Sequence, residues 1–193
     1  MKRILLLAFS VWLAFSTNAS AEVEKYKIDT EGAHAFIQFR IKHLGYSWLY
    51  GRFNRFEGNF TIDRENLENS QINVDIDVSA IDSNHAERDK HLRAEEFLNT
   101  DIHPTAKFVS TGLELNEDKK SGVLTGDLTL KNITRPIKIN VELVGEGKDP
   151  WGGYRVGFEG RTAFKLKDFG IERDLGPAST IVEMMLSVEG IKQ

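Results

Sequence analysis

The sequence contains no cysteine among its 193 residues. This absence excludes a disulfide-stapled secreted scaffold and a cysteine nucleophile. It also disfavours a lipid-anchored lipoprotein, because no cysteine follows the apolar N-terminal stretch to carry the lipid. A chain of this length can instead be stabilised by the packing of one hydrophobic core.

The chain also lacks an excess of positive charge and a long apolar run. It has 25 basic and 29 acidic residues and a formal net charge of −4. A nucleic-acid partner is therefore not expected, and the overall charge disfavours adhesion to anionic membranes. The apolar stretch at 4–15 is shorter than the roughly 20 residues that a membrane-spanning helix needs. We therefore expect no stable membrane insertion.

The first 21 residues have the layout of a secretory signal peptide. Lys2 and Arg3 precede the apolar stretch, and the small residues Ala19 and Ala21 stand where a signal peptidase would recognise them. We predict cleavage after Ala21 and export to the periplasm. Residues 22–193 would then form a single domain.

From residue 22 onward, the dominant pattern is the alternation of apolar and polar residues that is typical of half-buried strands. In 72–79, for example, Ile72, Val74, Ile76 and Val78 share one face. The pattern predicts eight strands, near 34–44, 53–63, 70–81, 105–116, 122–132, 135–147, 154–168 and 179–191. A sandwich or a closed barrel would bury their apolar faces. We predict an all-β fold, an eight-stranded antiparallel barrel whose interior is either filled or holds one small ligand.

One segment, 84–99, breaks this alternation and is rich in helix-forming residues. Asn84 followed by Glu87 resembles a capping box, and Pro104 prevents the helix from continuing. The pattern predicts a short helical insert between the third and fourth strands, which would close one end of the barrel.

Several short motifs, spread in order along the chain, resemble a known family. They are His34-Ala35-Phe36, Arg88-Asp89-Lys90-His91-Leu92-Arg93 running on to Phe97-Leu98, Gly126-Asp127-Leu128-Thr129-Leu130 with Asn132-Ile133-Thr134-Arg135-Pro136, and Lys167-Asp168-Phe169-Gly170-Ile171. Together they resemble the YceI-like family, and the stretches 43–48 and 149–153 resemble its periplasmic branch. The resemblance implies a lipocalin-like barrel whose cavity takes a long apolar lipid, typically a polyisoprenoid. Related members are associated with fatty-acid derivatives or isoprenoid quinones.

The inward-facing residues of the predicted strands are the candidates to line such a cavity. They could equally fill a solid core, as aromatic residues usually do, but the resemblance favours a lined cavity. The candidates are Phe36, Phe39, Ile41, Phe60, Ile76, Val78, Phe108, Leu128, Leu130, Ile139, Val141, Phe158, Phe164 and Leu186. Arg88 and Arg93 are candidates to contact a ligand head group, because a guanidinium matches the geometry of a phosphate.

The helical insert contains His85, Glu87, Asp89 and His91, which are residue types that Zn²⁺ accepts as ligands. On a continuous helix, however, the two histidines do not share a face. We therefore expect no metal site and no cofactor apart from a bound isoprenoid lipid. The sequence also lacks a nucleophile elbow, a zincin motif, a P-loop and a dinucleotide-binding motif, so we predict no enzyme activity.

The sequence predicts a periplasmic carrier that sequesters a long isoprenoid-type lipid in its barrel. Two other interpretations stay open: an envelope enzyme that uses the histidine-rich insert, and a stress-related interaction protein with a packed barrel. The oligomeric state is open and includes a homodimer. Trp48 and Trp151 lie in glycine-flanked stretches, and we expect them in loops at the barrel rim.

Overall fold

The computed structural model describes residues 23–193, so the predicted signal peptide at 1–21 lies outside the described residues. The strands are β1 Glu24–Ile28, β2 Phe36–His43, β3 Ser47–Phe53, β4 Phe56–Ile62, β5 Gln71–Asp77, β6 Ile81–Asp82, β7 Thr105–Leu115, β8 Ser121–Leu130, β9 Ile133–Lys148, β10 Tyr154–Lys165 and β11 Ile181–Lys192. The α-helix α1 spans Ala86–Arg93, and 3₁₀ turns occur at Leu67–Asn69, Val78–Ala80, Leu166–Phe169 and Pro177–Ser179.

These eleven strands form a closed antiparallel barrel with eight strand positions, which we call staves. Five staves are single strands, and the other three each consist of two shorter strands placed end to end. β1 and β2 lie end to end along β11, where Tyr26 pairs with Lys192 and Ile41 pairs with Val182. β3 and β4 form the next stave, and β5 and β6 the one after it. β7 to β11 complete the ring, and the pairing of β1 with β11 closes it. The predicted all-β, eight-stranded barrel is confirmed.

The alternation of strands gives the barrel two distinct ends. The upper end carries the β2–β3 turn, α1 and the connection from β10 to β11. The lower end carries the turns from β4 to β5, β7 to β8 and β9 to β10. Within the described range, no helix has the length and apolar character that crossing a bilayer requires.

Two strands, β1 and β3, were not predicted from the sequence. β1 is only five residues long, with two buried positions, Tyr26 and Ile28, too few to show a period. In β3 the apolar residues occupy both faces, because Trp48 and Tyr50 point outward while Leu49 lines the interior. The expectation that Trp48 lies in a loop is therefore wrong. Trp151 does lie in a turn, at the lower end, as expected.

The predicted strand at 70–81 is interrupted by a 3₁₀ turn. The Asp77 side chain accepts a hydrogen bond from the Ser79 N–H and caps this turn, so Val78 is not a strand residue. The predicted capping box at Asn84 is also wrong. α1 begins after His85, whose Nδ1 accepts from the Arg88 N–H at 3.3 Å, and Asn84 instead takes a left-handed conformation with φ of 61°.

Candidate functional site: the barrel cavity

The barrel is hollow. A cavity of about 1040 Å³ runs through it, and its walls are built from the inward-facing residues of all eight staves. Aliphatic and aromatic side chains line its middle, whereas charged side chains occur at its two ends. Such a site can hold an apolar ligand of considerable length, and it offers most of its polar contacts where the ligand would emerge.

Of the fourteen candidate lining residues, the structure places thirteen on the cavity wall. They are Phe39, Ile41, Phe60, Ile76, Val78, Phe108, Leu128, Leu130, Ile139, Val141, Phe158, Phe164 and Leu186. The prediction for Phe36 is wrong, since this residue lies on the outer surface with 41% of its area exposed. In β2 the inward positions are Ile37, Phe39 and Ile41, so Phe36 is one residue out of phase with them.

The cavity exists because several large rings lie flat against the barrel wall. A side chain at Gly51 would overlap the ring of Phe39, and Gly126 and Gly190 make the same room for Phe108 and Phe60. The rings of Phe39 and Phe108 each cover a glycine on the adjacent paired strand, and the ring of Phe60 on β4 reaches past β1 to cover Gly190 on β11. None of the three rings projects toward the barrel axis. This arrangement keeps a wall that is rich in phenylalanine from filling its own interior.

We expect Gly51→Ala to push the Phe39 ring into the cavity, because the added methyl group would occupy the space that the ring now fills. Ligand capacity should fall several-fold, with a loss of about 1–3 kcal/mol in the unfolding free energy of the ligand-free protein. Gly112→Ala is the matched control, since a Cβ there meets no atom within 4 Å. Equal ligand capacity in the two variants would contradict this role of Gly51.

At the upper end, Arg88 lines the cavity but Arg93 does not. Arg88 Nε donates to Ser83 Oγ at 2.7 Å, and Ser83 is also held by the buried carboxylate of Asp89, which accepts from the Ser83 N–H at 2.8 Å. Arg93 instead points toward the Ile81 carbonyl, 3.5 Å from its Nη1. Of the two arginines predicted to contact a head group, only Arg88 is positioned for it.

Further polar residues at the upper end were not among the predicted site residues. They are Lys42, His43, His91, Glu96, Arg173, Asp174 and Ser179. Arg173 and Asp174 come from the β10–β11 connection, which carries no strand or helix pattern that would place it over the cavity. Leu49 and Phe53 of β3 also line the wall. Leu49 was missed because its strand was not predicted, and Phe53 was missed although it is the first residue of the predicted strand 53–63.

An ion cluster sits at the lower end. Arg64 lies 2.7 Å from Glu24 and 2.6 Å from Glu146, and Lys192 lies 2.6 Å from Glu24. Burial opposes the ionisation of Glu24, but hydrogen bonds from Lys192, Arg64 and Tyr26 outweigh it and lower its pKa to about 2. Burial together with the hydrogen bond to Glu24 raises the pKa of Tyr26 to about 12. The cluster therefore joins β1, β9, β11 and the segment that follows β4 at the lower end of the cavity.

The histidines and carboxylates of the insert do not gather into a metal-ligating group within residues 23–193. The group that does gather there is Asp29, His34 and Glu189, on the outer face of the barrel. Arg155 Nη1 lies 2.6 Å from both Asp29 Oδ2 and Glu189 Oε1. A guanidinium therefore already supplies the positive charge that these carboxylates need, and their arrangement is that of an ion-pair network.

A closed antiparallel barrel around a long apolar cavity defines a lipocalin-like binding barrel. Residues 26–189 match the YceI-like domain, and the chain belongs to the YceI-like family. A UPF0312 protein of Pseudomonas aeruginosa is 56% identical to it over 188 residues, which cover 97% of each chain. A UPF0312 protein of Pectobacterium carotovorum is 52% identical over the same share of both chains.

Three solved structures share the fold. The YceI protein of Campylobacter jejuni superposes with a TM-score of 0.71 at 24% identity, covering 79% of this chain and 90% of that one. BcnA of Burkholderia cenocepacia gives 0.72 at 17% identity, over 84% and 98%. A polyisoprenoid-binding domain from Saccharophagus degradans, implicated in plant cell wall breakdown, gives 0.61 at 15% identity, over 87% and 98%. The chain thus belongs to the YceI-like family, and its fold is shared with a polyisoprenoid-binding domain.

Proposed function

We propose that this protein is a periplasmic carrier that sequesters one long isoprenoid-type lipid in its barrel. The observation that carries the proposal is the cavity of about 1040 Å³, whose wall is built mainly from aliphatic and aromatic side chains. The polyisoprenoid-binding domain that shares the fold supports the choice of ligand class. A polyisoprenoid, an isoprenoid quinone and a fatty-acid derivative all have the long apolar chain that this cavity fits.

The volume of the cavity limits the length of the apolar chain that the ligand can have. If a methylene-sized group takes about 30 Å³, as a water molecule does in the liquid, the cavity holds on the order of 35 chain carbons. Each buried methylene contributes about 0.8 kcal/mol, so tight binding needs few polar contacts. The protein would act by removing the chain from water, and the polar group would matter mainly at the mouth.

Export rests on the N-terminal sequence. The basic residues, the apolar stretch and the Ala19-to-Ala21 site predict removal of residues 1–21. N-terminal sequencing of protein from the periplasmic fraction is expected to begin at Glu22. A sequence that begins at Met1 in that fraction would contradict the assignment of a cleaved signal peptide.

Two alternatives are less well supported by the geometry. A catalytic role for the histidine-rich insert would need His85 and His91 together, but His85 caps α1 while His91 lines the cavity. A packed barrel that serves only for interactions is difficult to reconcile with an interior of about 1040 Å³. Sequestration therefore explains more of the structure than either alternative.

The direct test is extraction of the purified protein with organic solvent, followed by mass spectrometry of the extract. We expect a stoichiometric lipid with a long isoprenoid or acyl chain. Titration of the delipidated protein with a polyprenol covers the case in which lipid is lost on purification. A protein that yields no lipid and binds neither polyprenol nor quinone would overturn the proposal.

Arg88 is expected to contact the head group when that group is anionic. Arg88→Gln should weaken binding of a prenyl phosphate several-fold, because a charge-assisted hydrogen bond is lost, and should leave binding of the free prenol unchanged. Arg93→Gln is the control, since Arg93 lies off the cavity. Binding is measured by titration of delipidated protein, and equal losses for phosphate and prenol would argue against a head-group contact.

A further inference from the structure

The outer face of the β2–β3 hairpin is unusually aromatic. Trp48 and Tyr50 point outward, alternating with Leu49 on the cavity wall, and Tyr50 and the hairpin-turn residue Tyr46 are exposed. Trp48 is half-buried, with the Arg40 guanidinium 4.1 Å from the centre of its ring. Leu44, also at the turn, is exposed as well. A single exposed apolar residue is ordinary, but a contiguous exposed patch marks a contact surface.

The same face carries positive charge. Lys42 pairs with Trp48 in the strand register, and its Nζ lies 5.5 Å from the centre of the Trp48 ring. β11 lies beside β2 in the sheet, and its residue Ile181 is exposed. Ile181 in turn pairs with Lys165 on β10. In the part of the chain that the structure describes, neither lysine has an ion pair.

Few acidic residues lie on or near the outer face of the hairpin. No acidic residue occurs between Glu31 and Glu57, although the whole chain has a net charge of −4. The acid next to the patch on β11 is Glu183, and Arg40 neutralises it at 2.7 Å. The local charge is therefore opposite in sign to that of the whole chain, on which the expectation of no adhesion to anionic membranes was based.

The patch is also continuous with the mouth of the cavity. Lys42, His43 and Leu44 line the upper end of the cavity, and Leu44 is 59% exposed. A ligand that enters or leaves at this end would therefore pass along the hairpin. A long apolar lipid has its source in a bilayer, because water cannot dissolve its chain.

From these observations we propose that the outer face of the hairpin docks on the surface of an anionic phospholipid bilayer. Trp48, Tyr50 and Tyr46 would lie at the level of the head groups, where amphipathic rings are favoured. Lys42 and Lys165 would meet lipid phosphates. The contact is peripheral, and it depends on the outer surface rather than on the identity of the ligand, so it is tested on delipidated protein and can fail independently of the carrier proposal.

The chain supplies its own internal control for this test. Trp48 lies at the upper end and Trp151 at the lower end, and Trp12 lies in the predicted signal peptide. Proteins with Trp12→Phe are prepared with either Trp151→Phe or Trp48→Phe, so that each retains one indole. Each is mixed with vesicles of equal parts phosphatidylcholine and phosphatidylglycerol that carry brominated acyl chains. We expect strong quenching of Trp48 fluorescence and little or none of Trp151.

The charges are tested by sedimentation with the same vesicles. Lys42→Gln/Lys165→Gln should lower the affinity on the order of tenfold or more, since each lysine near an anionic surface contributes substantially. Lys138→Gln/Lys148→Gln, which removes the same charge from exposed positions elsewhere, should change it little. Absent quenching of Trp48, or equal quenching of both indoles, would overturn the proposal. So would a protein that ignores vesicles but forms a dimer dispersed by Tyr46→Ser, because the face would then join two copies.

Discussion

Replacing Val141 with tryptophan is expected to remove most of the bound lipid while leaving the ligand-free barrel nearly as stable as before. Val141 lines the cavity near the middle of β9. Its partners in both neighbouring strands are glycines, Gly122 in β8 and Gly160 in β10. No side chain faces it across either strand pair, so an indole at this position can extend only into the cavity.

The expected stability change separates a hollow barrel from a filled one. In a filled core the added bulk would cost about 1–3 kcal/mol, whereas in a cavity it occupies space that the lipid uses. Lipid content should therefore fall several-fold in Val141→Trp, with a change below about 1 kcal/mol in the unfolding free energy of the delipidated protein. Delipidated protein is needed because a ligand that binds only the folded state raises stability by itself.

Asn140→Trp is the matched control for this experiment. Asn140 is the preceding residue of β9, it is exposed, and it lies on the outer face. The same side chain is thus added to the same strand without entering the cavity, and lipid content should stay at the level of the unmodified protein. If Val141→Trp keeps its full lipid content, or unfolds while no lipid is ever detected, the carrier proposal fails.

The largest expected loss of stability follows from removing Arg155. Its Nη1 lies 2.6 Å from Asp29 and 2.6 Å from Glu189, and its Nε lies 2.9 Å from Asp149. Asp29 is only 6% exposed and would be left as a buried, partly unpaired charge. We expect Arg155→Met to lower the unfolding free energy by about 3 kcal/mol, near the lower end of the range for breaking a buried pair.

The control for this variant is Arg161→Met, on the same strand. Arg161 is 72% exposed and lies 3.7 Å from Glu159, and an exposed pair of this kind contributes less than about 1 kcal/mol. Both variants are compared by urea denaturation. Equal losses would mean that the network around Arg155 does not stabilise the junction between β1 and β2.

The pH dependence gives a second measurement on the same network. Hydrogen bonds from His34, Arg155 and the Gly32 N–H outweigh the effect of burial and lower the pKa of Asp29 from its ordinary 3.8 to about 2. A lowered carboxyl pKa stabilises the fold above the ordinary value, and this contribution is lost as the pH falls toward 2. Urea denaturation should show this loss in the unmodified protein between about pH 4 and pH 2 and a smaller loss in Arg155→Met.

Much of the fold and of the cavity wall follows from local pattern. In 72–78 and in the long strands β8 to β11, alternation identifies the inward face, and nearly all residues predicted to line the cavity do so. The prediction failed where the period is short or disturbed. β1 has too few residues to show it, β3 is apolar on both faces, and Phe36 stands one position out of phase with Ile37 and Phe39.

Alternation along each strand therefore determined which side chains face inward, because a period of two is a property of neighbouring residues alone. It also determined that the apolar faces of the strands must pack against one another. Whether the barrel is hollow was decided only by the tertiary structure. The rings of Phe39, Phe108 and Phe60 lie over Gly51, Gly126 and Gly190, and each match depends on the register between strands. The cluster of Asp29, Asp149, Arg155 and Glu189 depends on the same register. It joins segments distant in sequence, and no local period can encode such a contact.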